Sequence, residues 1–357
     1  MSSDTKLAAH VDPARSPLYR VAIVGAGSLK GKEIADVLNE RNFPSTDVKL
    51  LDDDESLGQL ESVGDEVTFI QKVRADEFQH VDFTFFASDA ECTARTWKTA
   101  RDTGSAIVDL SYALEDEPEA TVRSPWLERQ LGQLPAPQLQ PGPAVVAHPA
   151  AVVLALLIDR LRKAIEIRNV AATIFEPASE HGQKGMDELH EQTVNLLSFQ
   201  ELPKKVFDIQ VAFNMVSRYG EKSSPSLEAI EHRVVRHYAK IAGKDALAPS
   251  ILMLQAPIFH GQAFALHIES GGAADLERVA QALAGEHVHI AQGAEEAPTN
   301  VNAAGQNDIQ VAVRPDGARA NAFWIWAASD NLRVAAATAV ECAETMAATR
   351  PPQGKIQ

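Results

Sequence analysis

The stretch YRVAIVGAGSLKGKEIADVLNERNFPSTDVKLLDDD, residues 19 to 54, decides the fold class. An apolar run is followed by a glycine-rich turn, and the next segment carries Ile34, Val37 and Leu38 at the spacing of one helix face. A second apolar run then ends in aspartates. This order predicts a βαβ unit of a nucleotide-binding fold, because glycine lets the backbone approach a pyrophosphate at a helix N-terminus.

The segments after this unit extend the same pattern. VDFTFFAS (81–88) and GSAIVDLS (104–111) predict further buried parallel strands, whereas the acidic and then proline-rich residues 114 to 143 predict irregular surface chain. A glycine turn of this kind also occurs where it serves only tight packing, so the pattern leaves nucleotide binding open. The candidate cofactor-binding residues in this part are Gly25, Gly27, Ser28, Gly31 and Asp52.

Length and charge limit the class of protein. A chain of 357 residues predicts two domains. The net charge of −16 argues against nucleic acid and membranes as partners, because both attract clustered cations. The first 17 residues lack the apolar core of a signal peptide, so we expect a cytoplasmic protein. Cys92 and Cys342 form no CxxC pair and are predicted to be buried fillers.

Several segments in a fixed order resemble one family, the aspartate-semialdehyde dehydrogenases. The likeness runs from residue 19 to 348 and rests on VAIVGAGSLKGKEIADVLNERNFP, AIVDLSYAL, VVAHPAAVVLAL, KGMDELHEQTVNLL, VAFNMVS, APIFHGQAF and SDNLRVAAATAV. The resemblance implies an α/β protein with a Rossmann domain (18–149 plus 329–350), to which the last helix returns. It also implies a central α+β domain (150–328) that supplies most active-site groups and the dimer interface. Residues 1–17 and 351–357 are expected to be tails, and the expected assembly is a homodimer or a tetramer.

The resemblance also identifies the positions of the family's catalytic groups. The family reaction uses a cysteine thiolate that attacks an aldehyde, NADP that accepts hydride, and phosphate that cleaves the thioester. Here Ala151 stands at the nucleophile position and Gln262 at the general-base position. The remaining substrate and phosphate positions of the family fall on Glu176, Gln255, Glu115 and His237. The resemblance therefore implies that the nucleophile, the base and the anion-binding arginines are missing, so no residue is expected to be catalytic in the family reaction.

The cofactor end of the family pattern is partly kept. The family's Gly-x-x-Gly-x-x-Gly becomes Gly25, Ser28 and Gly31, and Asn331 holds a position that lies near the nicotinamide in the family. Residues 52 to 55 are all acidic, ending in Glu55, where NADP-using members hold the 2′-phosphate with arginine and serine. Carboxylates favour a free ribose hydroxyl. If a dinucleotide binds, NAD is therefore favoured over NADP.

Two further sets of polar residues leave alternatives open. The amphipathic segment 226–243 carries a basic face that includes Arg236 and Lys240, which is either a residual anion site or a solvated helix face. Glu176, His181 and His148 are candidates for a new acid–base site in the pocket that holds the active site in the family. A metal site needs three convergent ligands with supporting groups, and no spacing, including that of His287 and His289, indicates one, so no metal is expected.

The function predicted from these observations is non-catalytic. The leading interpretation is a protein of the aspartate-semialdehyde dehydrogenase fold that has lost the family reaction and acts as a binding, regulatory or assembly subunit, with a small-molecule or protein partner. The alternative is an NAD-dependent oxidoreductase of the same fold that acts on a different small substrate. A third interpretation, an ordinary aspartate-semialdehyde dehydrogenase of amino-acid biosynthesis, conflicts with Ala151.

Overall fold

The computed structural model describes residues 18–53, 57–63, 66–136, 141–293 and 296–349. The first part of the chain contains, in order, β1 (Tyr19–Val24), α1 (Leu29–Glu40), β2 (Ser45–Asp52), β3 (Leu60–Val63), β4 (Glu66–Phe69), β5 (Gln71–Lys72), a 3-10 helix (Ala75–Phe78), β6 (Phe83–Phe86), α2 (Ala90–Asp102), β7 (Ala106–Asp109), β8 (Thr121–Arg123), α3 (Pro125–Leu131) and β9 (Ala144–Val146). Seven of these strands form one sheet in the order β5-β2-β1-β6-β7-β9-β8, and all its neighbouring pairs are parallel.

The second part of the chain builds a separate mixed sheet. Its elements are α4 (Pro149–Ala164), β10 (Ile167–Glu176), a 3-10 helix (Ala178–His181), α5 (Gly182–Leu197), α6 (Leu227–Ile241), β11 (Ser250–Gln255), β12 (Gln262–Ser270), α7 (Leu276–Leu283), β13 (Val288–Ile290), α8 (Asn300–Ala303), β14 (Ile309–Pro315), β15 (Ala322–Ser329) and α9 (Asn331–Thr349). The strand order is β11-β10-β12-β15-β14-β13, with antiparallel pairs in its centre. The two sheets confirm the predicted fold class.

The glycine turn between β1 and α1 is pressed against the end of β6. Gly25 has a φ of +83°, and a Cβ atom there would stand 2.3 Å from the backbone nitrogen of Ser88. A Cβ atom on Gly31 would stand 2.2 Å from the carbonyl oxygen of Gly25. Ser28 caps α1, because its Oγ accepts from the Gly31 N–H (3.0 Å) and donates to the carbonyl of Ala87 (3.0 Å). Glycine is therefore required at both positions by the packing of the turn itself.

Helix α4 follows β9 directly and is buried from Pro149 to Asp159. It packs against α6 and α7, and its apolar side chains share one core with Val24 of the first sheet and Phe264 of the second. His148 caps the helix, with Nδ1 accepting from the Ala150 N–H at 3.3 Å. The start of α4 is consequently held between the two domains.

The prediction that residues 114 to 143 are irregular surface chain was wrong over part of this range. The segment contains edge strand β8 and helix α3, and the side chains of Trp126 and Leu127 are buried. Pro125 occupies the first turn of α3, where proline is favoured because the first helical N–H groups need no partner within the helix. The prolines therefore border short ordered elements. Residues 137 to 140 lie outside the described residues.

Helix α9 closes the chain by packing on the first sheet. Its buried residues, Val340 among them, join a core with Val21 of β1 and Ile34 of α1. The carboxylate of Glu341, only 2% exposed, accepts hydrogen bonds from Arg129 (2.7 Å) and from the indole N–H of Trp126 (3.2 Å). Helix α9 thus packs on the first sheet although it follows the second sheet in sequence. Among the described residues, no helix is long and apolar enough to cross a membrane.

Replacing Gly31 by alanine should lower the free energy of unfolding by about 1–3 kcal/mol, because the added methyl would collide with the Gly25 carbonyl rather than with a movable side chain. Urea denaturation would measure this loss. Gly317→Ala is the matched control, since no atom lies within 4 Å of a Cβ built there, and we expect a change within about 0.5 kcal/mol. Equal effects of the two substitutions would contradict the packing role of Gly31.

Candidate functional site

Polar side chains from four elements meet between the two sheets, beside the start of α4, and form a group that we call the centre. His148 caps α4, Glu176 ends β10, Glu180 lies in the 3-10 helix Ala178–His181, and Gln262 begins β12. The Nε2 atom of His148 lies 3.7 Å from Oε1 of Glu180 and 4.0 Å from Oε1 of Glu176. Glu176 and Gln262 are fully buried, and Gln262 Nε2 donates to Glu176 Oε2 at 2.5 Å.

Four buried polar atoms at this centre have no hydrogen-bond partner in the described part of the chain. They are His148 Nε2, Glu176 Oε1, Gln262 Oε1 and Ser329 Oγ. Ser329 lies directly opposite Gln262 in the pairing of β12 and β15, so both side chains project from the same face of the sheet. A buried polar group without a partner costs about 1–3 kcal/mol. The centre is therefore able to bind water or a small polar molecule.

The protonation states of His148 and Glu176 follow from burial. Burial raises the pKa of Glu176 well above its ordinary value, and the charge of Glu180 raises it further, so burial and Glu180 both favour the neutral form of Glu176. Burial lowers the pKa of His148 to about 3, so its imidazole is also neutral. Because Nδ1 of His148 accepts from the Ala150 N–H, the hydrogen bonds assign the ring proton to Nε2, which faces the two carboxyl groups.

Glu180 carries the negative charge of the centre. Burial alone would raise the pKa of Glu180, but the Lys30 ammonium at 3.2 Å and a hydrogen bond from Asn331 Nδ2 at 3.1 Å hold it at about 2. Ser179 Oγ in turn donates to Asn331 Oδ1 at 3.1 Å. Sequence reasoning missed Lys30 and assigned no role to Glu180. The only available signal for Glu180 was its place four residues after Glu176.

The side chains of His148, Glu176 and Glu180 also form a possible ligand set for a metal, with one atom of each within 4.8 Å of the others. Sequence spacing did not indicate this convergence. Two features weigh against a metal: the Lys30 ammonium already contacts the carboxylate oxygen, and His148 Nε2 bears the ring proton that a metal would have to replace. The absence of a metal stays a prediction.

The predicted anion site on α6 is filled by Glu115. Its carboxylate contacts Arg233 (3.1 Å), Arg236 (3.0 Å) and His237 (3.1 Å), and its backbone oxygen accepts from Lys240 Nζ (3.4 Å). Burial opposes the charge of Glu115, but the hydrogen bonds from His237 and Arg233 lower its pKa to about 2. Arg236 and Lys240 therefore lie on an exposed helix face beside an anion position that Glu115 itself occupies.

His237 connects this ion cluster to the start of α4. Its side chain is buried, not exposed with the basic residues of its helix. Nδ1 of His237 accepts from the backbone N–H of His148 at 2.9 Å, which leaves Nε2 to donate to Glu115. Burial lowers the pKa of His237, so a neutral ring with its proton on Nε2 satisfies both contacts.

Comparison with known proteins now identifies the family. A model described as the NAD binding domain of semialdehyde dehydrogenase matches residues 20–133, and a model of the semialdehyde dehydrogenase dimerisation domain matches residues 158–334. This chain belongs to the semialdehyde dehydrogenase family. A USG-1 protein homolog of Azotobacter vinelandii is 32% identical over 93% of this chain and 98% of that protein. An aspartate-semialdehyde dehydrogenase of Rickettsia bellii is 29% identical over 93% of this chain and 98% of that protein.

A solved structure extends the family likeness to the backbone. The structure of a probable aspartate-semialdehyde dehydrogenase from Pseudomonas aeruginosa superposes with a TM-score of 0.81 at 29% identity, over 92% of this chain and 98% of that one. The semialdehyde dehydrogenase fold is therefore retained along nearly the whole chain, which includes an NAD(P)-binding domain.

The remaining predicted positions lie around the centre with structural partners. Ala151 is fully buried in the first turn of α4. Gln255 is also buried, and it donates to the carbonyl of Glu176 (3.0 Å) and accepts from the hydroxyl of Tyr219 (2.6 Å). His181 contacts the same hydroxyl at 2.9 Å, so its ring bonds away from the pair formed by His148 and Glu176. Glu180, and not the predicted His181, is the third side chain that lies beside His148 and Glu176.

The carboxyl end of β2 holds the predicted cofactor aspartate. Asp52 is buried, and its carboxylate accepts from the backbone N–H groups of Gly27 (3.0 Å) and Asp53 (2.9 Å). Asp53 is paired with Arg95 of α2. Asp54 and Glu55, which completed the predicted acidic run, lie outside the described residues.

The Glu115→Gln variant tests the ion cluster through the pH dependence of stability. The pKa of Glu115 is about 2 in the folded chain and 4.5 ordinarily, so its charge stabilises the fold above about pH 4.5 and this contribution is lost as the pH falls towards 2. We expect the difference in unfolding free energy between wild type and variant to be largest near pH 7 and to shrink below about pH 4.5. Urea denaturation at several pH values measures it. Asp116→Asn, at the exposed neighbouring position, should show no such trend; a difference independent of pH would contradict the role of Glu115.

Proposed function

We propose that this chain is a semialdehyde dehydrogenase family member that has lost the family reaction and acts as a binding, regulatory or assembly subunit. The observation that carries the proposal is the buried methyl group of Ala151 at the helix start where the family resemblance places the reactive thiolate. No described cysteine replaces it. Burial raises the pKa of Cys92 to about 11 and that of Cys342 to about 12, and both lie in helices of the first domain.

The groups around Ala151 support the same proposal. The amide of Gln262 has no basic nitrogen and is bonded to Glu176, so it cannot accept a proton as the family's histidine would. Glu115 places a carboxylate between Arg233 and Arg236, where an incoming phosphate would meet a like charge. Other side chains thus replace the family's nucleophile and base, and Glu115 fills its phosphate site.

We expect purified protein to show no phosphate-dependent oxidation of aspartate semialdehyde, and Ala151→Cys to remain inactive as well. A thiolate at this helix start would gain about 0.3–1 kcal/mol from the helix dipole. It would still lack a general base, whose help is typically worth about 10²–10⁴ in rate. Reduction of NAD or NADP followed at 340 nm, with an aspartate-semialdehyde dehydrogenase of the family as positive control, is the measurement. Turnover by the wild type would overturn the proposal, and turnover by Ala151→Cys would show that the surrounding pocket is intact.

We infer that the chain forms a homodimer through its second domain. Support comes from the match to the dimerisation-domain model and from exposed apolar side chains near the end of α5, including Leu197 (70% exposed), Phe199 (98%) and Phe213 (68%). Gln192 of α5 accepts from the N–H of Val211, which ties the segment of Phe213 to this helix. Soluble monomers rarely expose large contiguous apolar patches.

The substitution Phe199→Glu should weaken this dimer, because it would place a charge in apolar surface that association buries. Light scattering on a sizing column at micromolar concentration should give a dimeric mass for wild type and a lower mass for the variant. Leu134→Glu, at an equally apolar and 63% exposed position of the first domain, is the control and should leave the mass unchanged. A monomeric wild type would refute the inference.

A second candidate function rests on the unpartnered atoms of the centre. His148 Nε2 lies 4.0 Å from Glu176 Oε1, and burial favours the neutral form of the Glu176 carboxyl group, which is able to donate a proton to a bound molecule while the Nε2–H of His148 donates a hydrogen bond to it. This arrangement favours the alternative of an NAD-dependent oxidoreductase that acts on another small substrate. An experimental structure with an organic molecule bonded to both atoms would support it, and ordered water alone would favour the non-catalytic function.

We also propose that the nucleotide site favours NAD over NADP. The buried carboxylate of Asp52 at the end of β2 supports this choice, because a carboxylate there accepts from a ribose hydroxyl and repels a 2′-phosphate. Arg95 does not reverse the preference, since Asp53 already neutralises it.

A further inference from the structure

The topology of the first sheet fixes where a dinucleotide would lie. In a doubly wound sheet the ligand crosses the carboxyl ends of the strands at the point where strand order reverses, with its pyrophosphate on the glycine turn. Here that point lies between β1 and β6. The adenosine half would rest over β2, where Asp52 stands. The nicotinamide half would extend over β6 and β7 towards the second domain.

The side chain of Lys30 crosses this second half of the crevice. Lys30 lies in the first turn of α1, and its Nζ reaches 4.9 Å from the ring centre of Tyr112, a buried residue that follows β7. It ends on Glu180 of the second domain at 3.2 Å. The ion pair is largely shielded from solvent, with side-chain exposures of 16% for Lys30 and 5% for Glu180.

Both ends of this ion pair are held by further contacts. Asn331, at the start of α9, donates to the second carboxylate oxygen of Glu180 (3.1 Å). Arg233 also lies over the Tyr112 ring, 4.7 Å from its centre, so two cations contact this ring. A nicotinamide ring entering here would have to separate a buried ion pair, and each charge would then need a new partner.

We propose that Lys30 determines the nucleotide specificity of this chain: the Lys30–Glu180 ion pair occupies the nicotinamide half of the crevice, so the site binds adenosine diphosphate more tightly than the intact dinucleotide. The adenosine half keeps the glycine turn and the Asp52 carboxylate. This inference goes beyond the loss of catalysis, because a chain without the nucleophile could still bind NAD. It also argues against the oxidoreductase alternative, which needs an open nicotinamide site.

Calorimetry with ADP and NAD⁺ tests the proposal on wild type, Lys30→Ala and Lys32→Ala. Lys32 is the matched control, because it lies on the same helix but is 47% exposed and pairs with Glu61. We expect wild type to bind ADP at least about tenfold more tightly than NAD⁺, and Lys30→Ala to raise the affinity for NAD⁺ by about tenfold while that for ADP changes less than about twofold. Lys32→Ala should behave as wild type.

Lys30→Ala leaves the buried Glu180 carboxylate unpaired, so the double variant Lys30→Ala/Glu180→Gln is measured beside it, with circular dichroism to confirm folding. The double variant should show the same increase in affinity for NAD⁺. Three results would each overturn the proposal: equal binding of ADP and NAD⁺ by wild type, no gain for NAD⁺ in either opened variant, or no binding of ADP by any form. Titration of the opened variants with NADP⁺ tests the NAD preference separately. Because every readout is binding, failure here is distinguishable from failure of the activity prediction.

Discussion

The burial of α4 between the two sheets is the constraint on which the rest of the centre depends. Its side chains pack with Val24 of one sheet and Phe264 of the other, so the position of its first turn cannot vary independently of either domain. His148, Glu176 and Gln262, which lie near this turn, are consequently fully buried. Desolvation is accommodated in two ways: burial shifts Glu176 towards its neutral form, whereas Glu115 and Glu180 stay charged beside cations.

The fold class was predictable because its signal is local. Residues 19 to 54 carry strand, turn and helix patterns within one continuous segment, and Gly25 and Gly31 are required there by contacts with atoms close by in the chain or in the neighbouring strand. The region of α3 was not predictable by the same means, because its prolines and acidic residues are typical of irregular chain. The short helix there is stabilised by the burial of Trp126 against α9 and His287, which are tertiary contacts.

The candidate site was predictable only as a set of positions. Comparison of motifs marked Ala151, Glu115 and Gln262 one by one, but the contacts of each depend on residues far away in sequence. The resemblance identified Glu115 only as a changed anion-binding position, and its pairing with Arg233 arises only when α6 packs beside β8. Lys30 and Glu180 lie 150 residues apart, so their contact likewise cannot be recognised from the spacing of residues in the sequence.

The cluster around Glu115 couples this position to the side chains of α6. A single Glu115→Arg substitution would bring a third guanidinium against Arg233 and Arg236 and would remove the acceptor that His237 uses. Such a step destabilises the fold before any phosphate could be bound. Arginine at position 115 is therefore compatible with this packing only if α6 changes as well, so the two elements constrain each other's substitutions.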